Sequence, residues 1–318
     1  MLFATPANPV PEGAVCSRVR ATDGVMLRVA RWEPAVPAAG TICIFPGRTE
    51  KIEKYFETVE NLRRRGFCVA VMDWRGQGGS DRLLRNPIKG HVGSFEHYQL
   101  DIDAFMRDWV LPTCPAPYFA LAHSMGAAIL LDCARLDGER QDRDWFTRML
   151  LVAPMLDIAL IRHPSIARGL ARVLSTLQMQ RVGVPSRRAL HANLPPFEGN
   201  RLSSDPVRFA RNAGISLEHP ELDVSAPTIG WIRCAFDMME RLADPATARI
   251  IRQPLLLVGA GADTVVSTRA IERLGSRLIA GGHVVIPGAR HELLQERDLY
   301  REQCLAAFDA FIPGSQAA

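Results

Sequence analysis

Short apolar runs alternate along this chain with longer amphipathic stretches. The runs at 41–45, 67–72, 117–122 and 148–153 have the length and composition of buried strands, and the segments near 52–65, 95–110 and 125–136 carry apolar residues at helical spacing. The same alternation resumes with a strand at 254–258, a helix at 267–275, a strand at 283–286 and a closing helix at 293–311. Ahead of it, ATDGVMLRVARWEP places a turn at Asp23-Gly24 and then the period-two pattern of an edge strand in an antiparallel start to the sheet. Strands that alternate with helices need crossover connections, so the expected class is α/β: a mainly parallel central sheet flanked by helices. No internal repeat is present.

Residues 155–250 break the alternation and read as an insertion. The expected organisation is a Pro-rich, loosely held lead-in over 1–17, a core built from 18–154 and 251–318, and a mostly helical cap over 155–250. Lying after the strand at 148–153, the cap is expected over the carboxyl ends of the strands. Its first part spaces Ile158, Ile161, Ile166, Leu170, Val173, Leu174 and Leu177 in helical fashion, interrupted near Pro164. Such a stripe either lines an apolar tunnel or packs on the core. Arg162, Arg168, Arg172, Arg181, Arg187 and Arg188 make the stretch basic, which fits a solvated helix face or a helix resting on anionic lipid. Further on, SAPTIGWIRCAFDMM brings Ile229, Ile232, Phe236 and Met239 near one helical face; these are the candidates for substrate contact.

The chemistry centres on PYFALAHSMGAA, where an apolar run stops at Ser124 and becomes helix-forming. A serine hydroxyl attacks a carbonyl well when it stands on a sharp strand-to-helix turn beside backbone amides that hold the oxyanion. Small residues on either side permit the turn, here Ala122 and Gly126, the first in place of the more usual glycine. An activated serine also needs a base and an orienting acid, each on a loop after a later strand. QPLLLVGAGAD carries Asp263 after an apolar run, and GHVVIPGARHELLQE carries His291 after another. The predicted triad is Ser124, Asp263 and His291; Asp157, after MLLVAP, is the rival acid.

The oxyanion hole is expected from the backbone amides of Met125 and Arg48, the latter in the loop after the strand at 41–45. The Arg48 guanidinium has two readings, an ion pair with Glu50 or another acid, or a contact with a substrate phosphate or carboxylate; the structural ion pair is favoured. His123, although next to the nucleophile, is expected to point away from the turn. DWRGQG lacks the third glycine of a dinucleotide fingerprint, since Asp81 stands in its place, and no Lys-Ser pair follows; it reads as a tight turn. The remaining histidines, including His91, His97, His163, His191 and His219, show no metal-ligand spacing, and neither cofactor nor metal is expected.

Taken in order, FPGRTEKIEKY, DWRGQGGSDR, KGHV, AHSMG, FEGNRLSSD, GADTVV and GARHEL resemble the bacterial lysophospholipase branch of the monoglyceride-lipase-like α/β-hydrolases, over about residues 40–300. The resemblance implies the α/β-hydrolase fold and a carboxylic ester hydrolase acting on single-chain lipid esters. Two other readings stay open. One is an aminopeptidase of the prolyl type or a small-ester esterase on the same core; Glu218, Glu221, Asp223, Asp237 and Glu240 are the acids such a peptidase could use to hold a free amine. The other is a binding protein on a hydrolase scaffold, which predicts a lost triad.

Composition narrows the picture further. The formal charge is only +4 and the arginines are dispersed, which excludes a nucleic-acid stripe. Seven scattered cysteines without a CxxC pattern argue for a reducing compartment. The first residues lack the basic and apolar regions of a signal peptide, and no apolar run reaches a membrane-spanning length. The expectation is a cytoplasmic enzyme, with peripheral contact at the inner membrane left open; oligomeric state is not legible.

Overall fold

The computed structural model describes residues 1–36, 38–140, 144–159, 161, 163–184 and 196–315. Arg162, Arg187, Arg188 and His191 lie outside the described residues. Eight strands form one sheet: β1 (Val15–Arg20), β2 (Met26–Trp32), β3 (Thr41–Phe45), β4 (Cys68–Met72), β5 (Tyr118–His123), β6 (Arg148–Val152), β7 (Leu255–Ala260) and β8 (Gly281–Ile286). Their order across the sheet is β1-β2-β4-β3-β5-β6-β7-β8. The first two pairings are antiparallel and the other five parallel. β3 and β4 are buried throughout, as a sheet covered on both faces requires.

The connections are α1 (Phe56–Arg64), α2 (His97–Phe105), the single turn α3 (Leu111–Thr113) and α4 (Ser124–Arg140), followed after β6 by α5 (Pro164–Thr176), α6 (Pro206–Glu218), α7 (Ile229–Ala243) and α8 (Thr247–Ile250). α9 (Thr268–Gly275) joins β7 to β8, and α10 (Asp298–Phe311) closes the fold. The pattern anticipates the strands from β3 onward and the helices that flank them to within a few residues, but not α6 or α8. Two of the expected helices begin with a 3₁₀ turn, at Ile52–Tyr55 and Leu293–Gln295, and the one near 95–110 passes from α2 into a π-helical turn at Met106–Val110.

The N-terminal region departs from expectation. The boundary drawn at 17/18 runs through β1, which is the true sheet edge, while β2 lies one position in. Nor are the preceding residues loose: Asn8 is buried and donates to the Glu53 carbonyl at 2.9 Å, and the Trp32 indole donates to the Pro11 carbonyl at 3.2 Å. Prolines hid this from the pattern because they break alternation without preventing docking through carbonyls and side chains.

Between β6 and β7 the chain carries the helices α5 to α8 and no strand of the sheet among the described residues. Arg48 donates to the Ser225 carbonyl at 2.6 Å, Gly90 to the Ala226 carbonyl at 3.1 Å, and Glu292 to the Leu202 carbonyl at 2.8 Å. The residues between β6 and β7 therefore touch the loops that follow β3, β4 and β8.

One buried ion cluster fixes the loop after β3. Arg28 on β2 binds Glu53 through both terminal nitrogens at 2.7 Å and Asp73 through Nε at 2.7 Å. Asp73 also accepts from the amides of Ile52 (2.9 Å) and Gly79 (2.7 Å), so the glycine-rich stretch after β4 is the tight turn expected. Gly78 adopts φ 56° with its missing Cβ direction filled by the Asp73 carboxyl group. Replacing Arg28 by methionine leaves two buried carboxylates without their cation, and urea unfolding should show a loss of about 3–5 kcal/mol.

Candidate active site

β5 is flanked by β3 and β6 along its length, and the chain turns at its carboxyl end directly into α4. Ser124, at that junction, has φ 50°, in the left-handed region that non-glycine residues avoid. Gly126 makes the turn possible. A Cβ there would collide with the carbonyl oxygens of Phe45 and Pro46, so α4 starts pressed against the end of β3. That contact brings the Pro46-Gly47-Arg48 loop beside Ser124 and Met125.

The three predicted triad residues meet. Ser124 Oγ lies 3.0 Å from His291 Nε2, and His291 Nδ1 lies 2.7 Å from Asp263 Oδ2. The other carboxylate oxygen of Asp263 accepts from the amides of Val265 (2.7 Å) and Val266 (3.0 Å), which fixes its orientation. With Nδ1–H given to Asp263, Nε2 is left to accept the serine proton. Asp157 instead uses its backbone carbonyl to receive the Ser267 amide at 3.0 Å.

His123 differs from expectation. Its ring centroid is 4.9 Å from that of His291; Nε2 donates to the His291 carbonyl at 3.2 Å, and Nδ1 is 2.9 Å from Glu50 Oε1. Glu50 also accepts from Lys54 (2.6 Å), the Tyr55 hydroxyl (2.6 Å) and the Gly47 amide, and Lys54 reaches Glu292 at 2.6 Å. A sequence signal existed: a histidine ending an otherwise apolar, buried strand must find polar partners. Their identity depends on residues 73 and 168 positions away, which no local pattern reveals.

Arg48 does not take Glu50. Its guanidinium donates to the Ser225 carbonyl and lies 5.0 Å from the Trp231 ring centre, joining the loop after β3 to the insertion. Of the four candidate substrate contacts, Phe236 and Met239 line a cavity of about 250 Å³ that also has Asp157, Arg168, Glu240 and Arg273 in its wall and none of Ser124, Asp263 or His291, whereas Ile229 and Ile232 do not line it. Ile229 is buried at the start of α7, and Ile232 packs half-buried against the core. Three of the five acids considered for an amine site have cations: Lys51 pairs with Asp223, and Arg172 binds Asp237 at 3.0 Å and Glu240 at 2.8 Å.

Among the described residues no cluster of histidine, cysteine or acidic side chains is arranged to hold a metal, and no helix is long and apolar enough to cross a membrane. None of the seven cysteines forms a disulfide among the described residues.

A mainly parallel sheet with a strained serine turn at the end of its fifth strand defines an α/β-hydrolase. Residues 36–298 match the family model described as serine aminopeptidase, S33, and the chain belongs to this hydrolase family. It is 35% identical over 287 residues to lysophospholipase L2 of Escherichia coli K12, an alignment covering 85% of this chain and 79% of that protein. It is 26% identical over 270 residues to a probable lysophospholipase L2 of Haemophilus influenzae, covering 84% and 81%. A soluble variant of the Saccharomyces cerevisiae monoglyceride lipase, solved with a substrate analog, shares the fold with a TM-score of 0.72 at 17% identity, covering 93% of this chain and 95% of that one.

Burial opposes a charge on His123, but the Glu50 carboxylate beside it raises its pKa above the ordinary 6.5, with Lys54 opposing and Glu292 assisting. Glu50 is in turn held well below the usual carboxylate range against its burial by His123 and Lys54. A histidine whose pKa is raised on folding contributes stability that is full below about pH 6.5 and fades as pH climbs through the folded value. Melting curves of wild type and His123→Asn should therefore lie furthest apart near about pH 6 and draw together toward about pH 9. A gap independent of pH would mean that His123 is neutral throughout.

Proposed function

We propose that the protein is a serine carboxylic ester hydrolase of the lysophospholipase or monoacylglycerol lipase type. It is an ester-hydrolysing enzyme whose substrate is a single-chain lipid ester. The observation that carries this reading is the continuous hydrogen-bonded line from Ser124 through His291 to Asp263. The curated relatives named above supply the substrate class by analogy.

In the proposed mechanism, Ser124 Oγ attacks the ester carbonyl carbon while its proton passes to His291 Nε2. The amides of Met125 and Arg48 hold the resulting oxyanion; the start of α4 leaves the first amide without an intrahelical acceptor. Collapse breaks the bond to the alcohol, which leaves with the proton from His291 and yields an acyl-enzyme. Water then repeats the sequence and releases the fatty acid. Asp263 steadies the imidazolium. No metal or organic cofactor takes part. Residues 155–250 serve as the cap over this centre.

The test is a substrate panel: p-nitrophenyl esters of increasing chain length, lysophosphatidylcholine, lysophosphatidylethanolamine, monoacylglycerol and proline-β-naphthylamide. Fatty acid release from the single-chain lipids should fall by at least about 10⁴-fold in Ser124→Ala. Activity confined to the aminopeptide would replace the ester reading.

The proposed route to substrate is a lipid surface met by α5. Ile166, Leu170, Val173 and Leu177 are 67%, 56%, 56% and 64% exposed and recur at helical spacing, while the two arginines of the helix, Arg168 and Arg172, pair with Asp237 and Glu240 of α7. The double substitution of Leu170 and Leu177 by glutamate should weaken sedimentation with phosphatidylglycerol vesicles by at least about tenfold, each leucine being worth about 1.5–3 kcal/mol when buried. Undiminished sedimentation would remove α5 as the contact.

A further inference from the structure

The FEGNRLSSD stretch has no role in the chemistry above, yet its residues converge on the loop that carries His291. Glu296, fully buried, accepts from the Arg290 amide through Oε1 at 2.8 Å. Through Oε2 it accepts from the Ser204 amide (2.8 Å), the Ser204 hydroxyl (2.5 Å) and the Arg297 amide (3.0 Å). On the other side of the histidine, the Glu292 amide donates to the Leu202 carbonyl at 2.8 Å. The Arg290 side chain returns the contact, reaching the carbonyls of Asn200 (3.2 Å) and Ser203 (3.0 Å). Both neighbours of His291 are thus tied to the insertion, directly or through Glu296, while its own carbonyl is held by His123.

We infer that Glu296 and Ser204 are positioning residues for His291: the insertion, through the Ser204–Glu296 link, sets where the imidazole stands between Ser124 and Asp263. A carboxylate is suited to the task because it receives several donors at once from two segments 92 residues apart. The Asn200 side chain shapes the donating segment by accepting from the amides of Leu202 (3.0 Å) and Ser203 (3.1 Å). Arg208 braces it from below, binding the Glu296 carbonyl at 2.8 Å and Glu57 at 2.6 Å. The insertion is accordingly divided in function. Its Asn200–Arg208 part belongs mechanically to the catalytic loop, and any opening over the site falls to the rest.

This inference rests on the proposed triad, and the experiment separates the two. Wild type and Ser124→Ala are first compared on p-nitrophenyl butyrate; equal rates would overturn the triad before any positioning variant is considered. Glu296→Gln, Ser204→Ala and Ser204→Thr are then purified, their folded fraction is measured by circular dichroism, and kcat and KM are determined per folded molecule. Glu296→Gln, which turns an acceptor into a donor at the junction, should lower kcat on the order of 10- to 100-fold with KM within about twofold. Ser204→Ala should lower kcat about threefold to tenfold, and Ser204→Thr, which keeps the hydroxyl, should restore it. Should Glu296→Gln fail to fold, the alanine and threonine pair at 204 decides the matter. Folded variants with wild-type kcat, or a fall in melting temperature without a change in kcat per folded molecule, would overturn the positioning role.

Discussion

The site depends on one uncomfortable backbone geometry. A serine in the left-handed region costs on the order of 1 kcal/mol or more, and the surrounding structure must over-determine it. Parallel strands on both sides of β5 supply part of that constraint, and the absence of a Cβ at Gly126 supplies the rest by letting α4 press against the carbonyls of Phe45 and Pro46. The same approach that lifts the serine hydroxyl clear of the sheet draws the loop after β3 alongside it. Strain at the turn and an amide-lined position beside the nucleophile are two results of a single packing contact.

Around this turn, buried charge is arranged in closed groups. Arg28 with Glu53 and Asp73 secures the entry to the loop after β3, and His123, Glu50, Lys54 and Glu292 link that loop to the residue following the catalytic histidine. Burying so many charges gains little stability, because desolvation cancels most of the attraction. Their value lies in direction. Each charged group accepts or donates at fixed angles, so loops from opposite ends of the sequence meet with defined geometry.

The sequence revealed what repeats or alternates. Strand runs, the turn at Ser124 and the chain order of Asp263 and His291 follow from period and spacing, and the described elements lie where those signals put them. Less legible were features built from contacts far apart in the chain. β1 was hidden by prolines around it, and the orientation of His123 depends on Glu50 and on the main chain at His291. The stripe on α7 illustrates a further limit. Periodicity identifies its buried face, but only packing distinguishes Phe236 and Met239, which border a cavity, from Ile229 and Ile232, which do not.

The bonds between the Asn200–Arg208 segment and the loop around Glu296 also bear on how the enzyme comes into being. During synthesis the serine turn emerges long before its base, because 167 residues separate Ser124 from His291. A growing chain that has folded its first six strands holds the nucleophile without anything to activate it, and the insertion waits without the loop it grips. The line from Ser124 to Asp263 closes only once the segment that follows β8 has docked and brought His291 between them. An ester hydrolase assembled in this order has no complete Ser124–His291–Asp263 line until the fold is essentially complete.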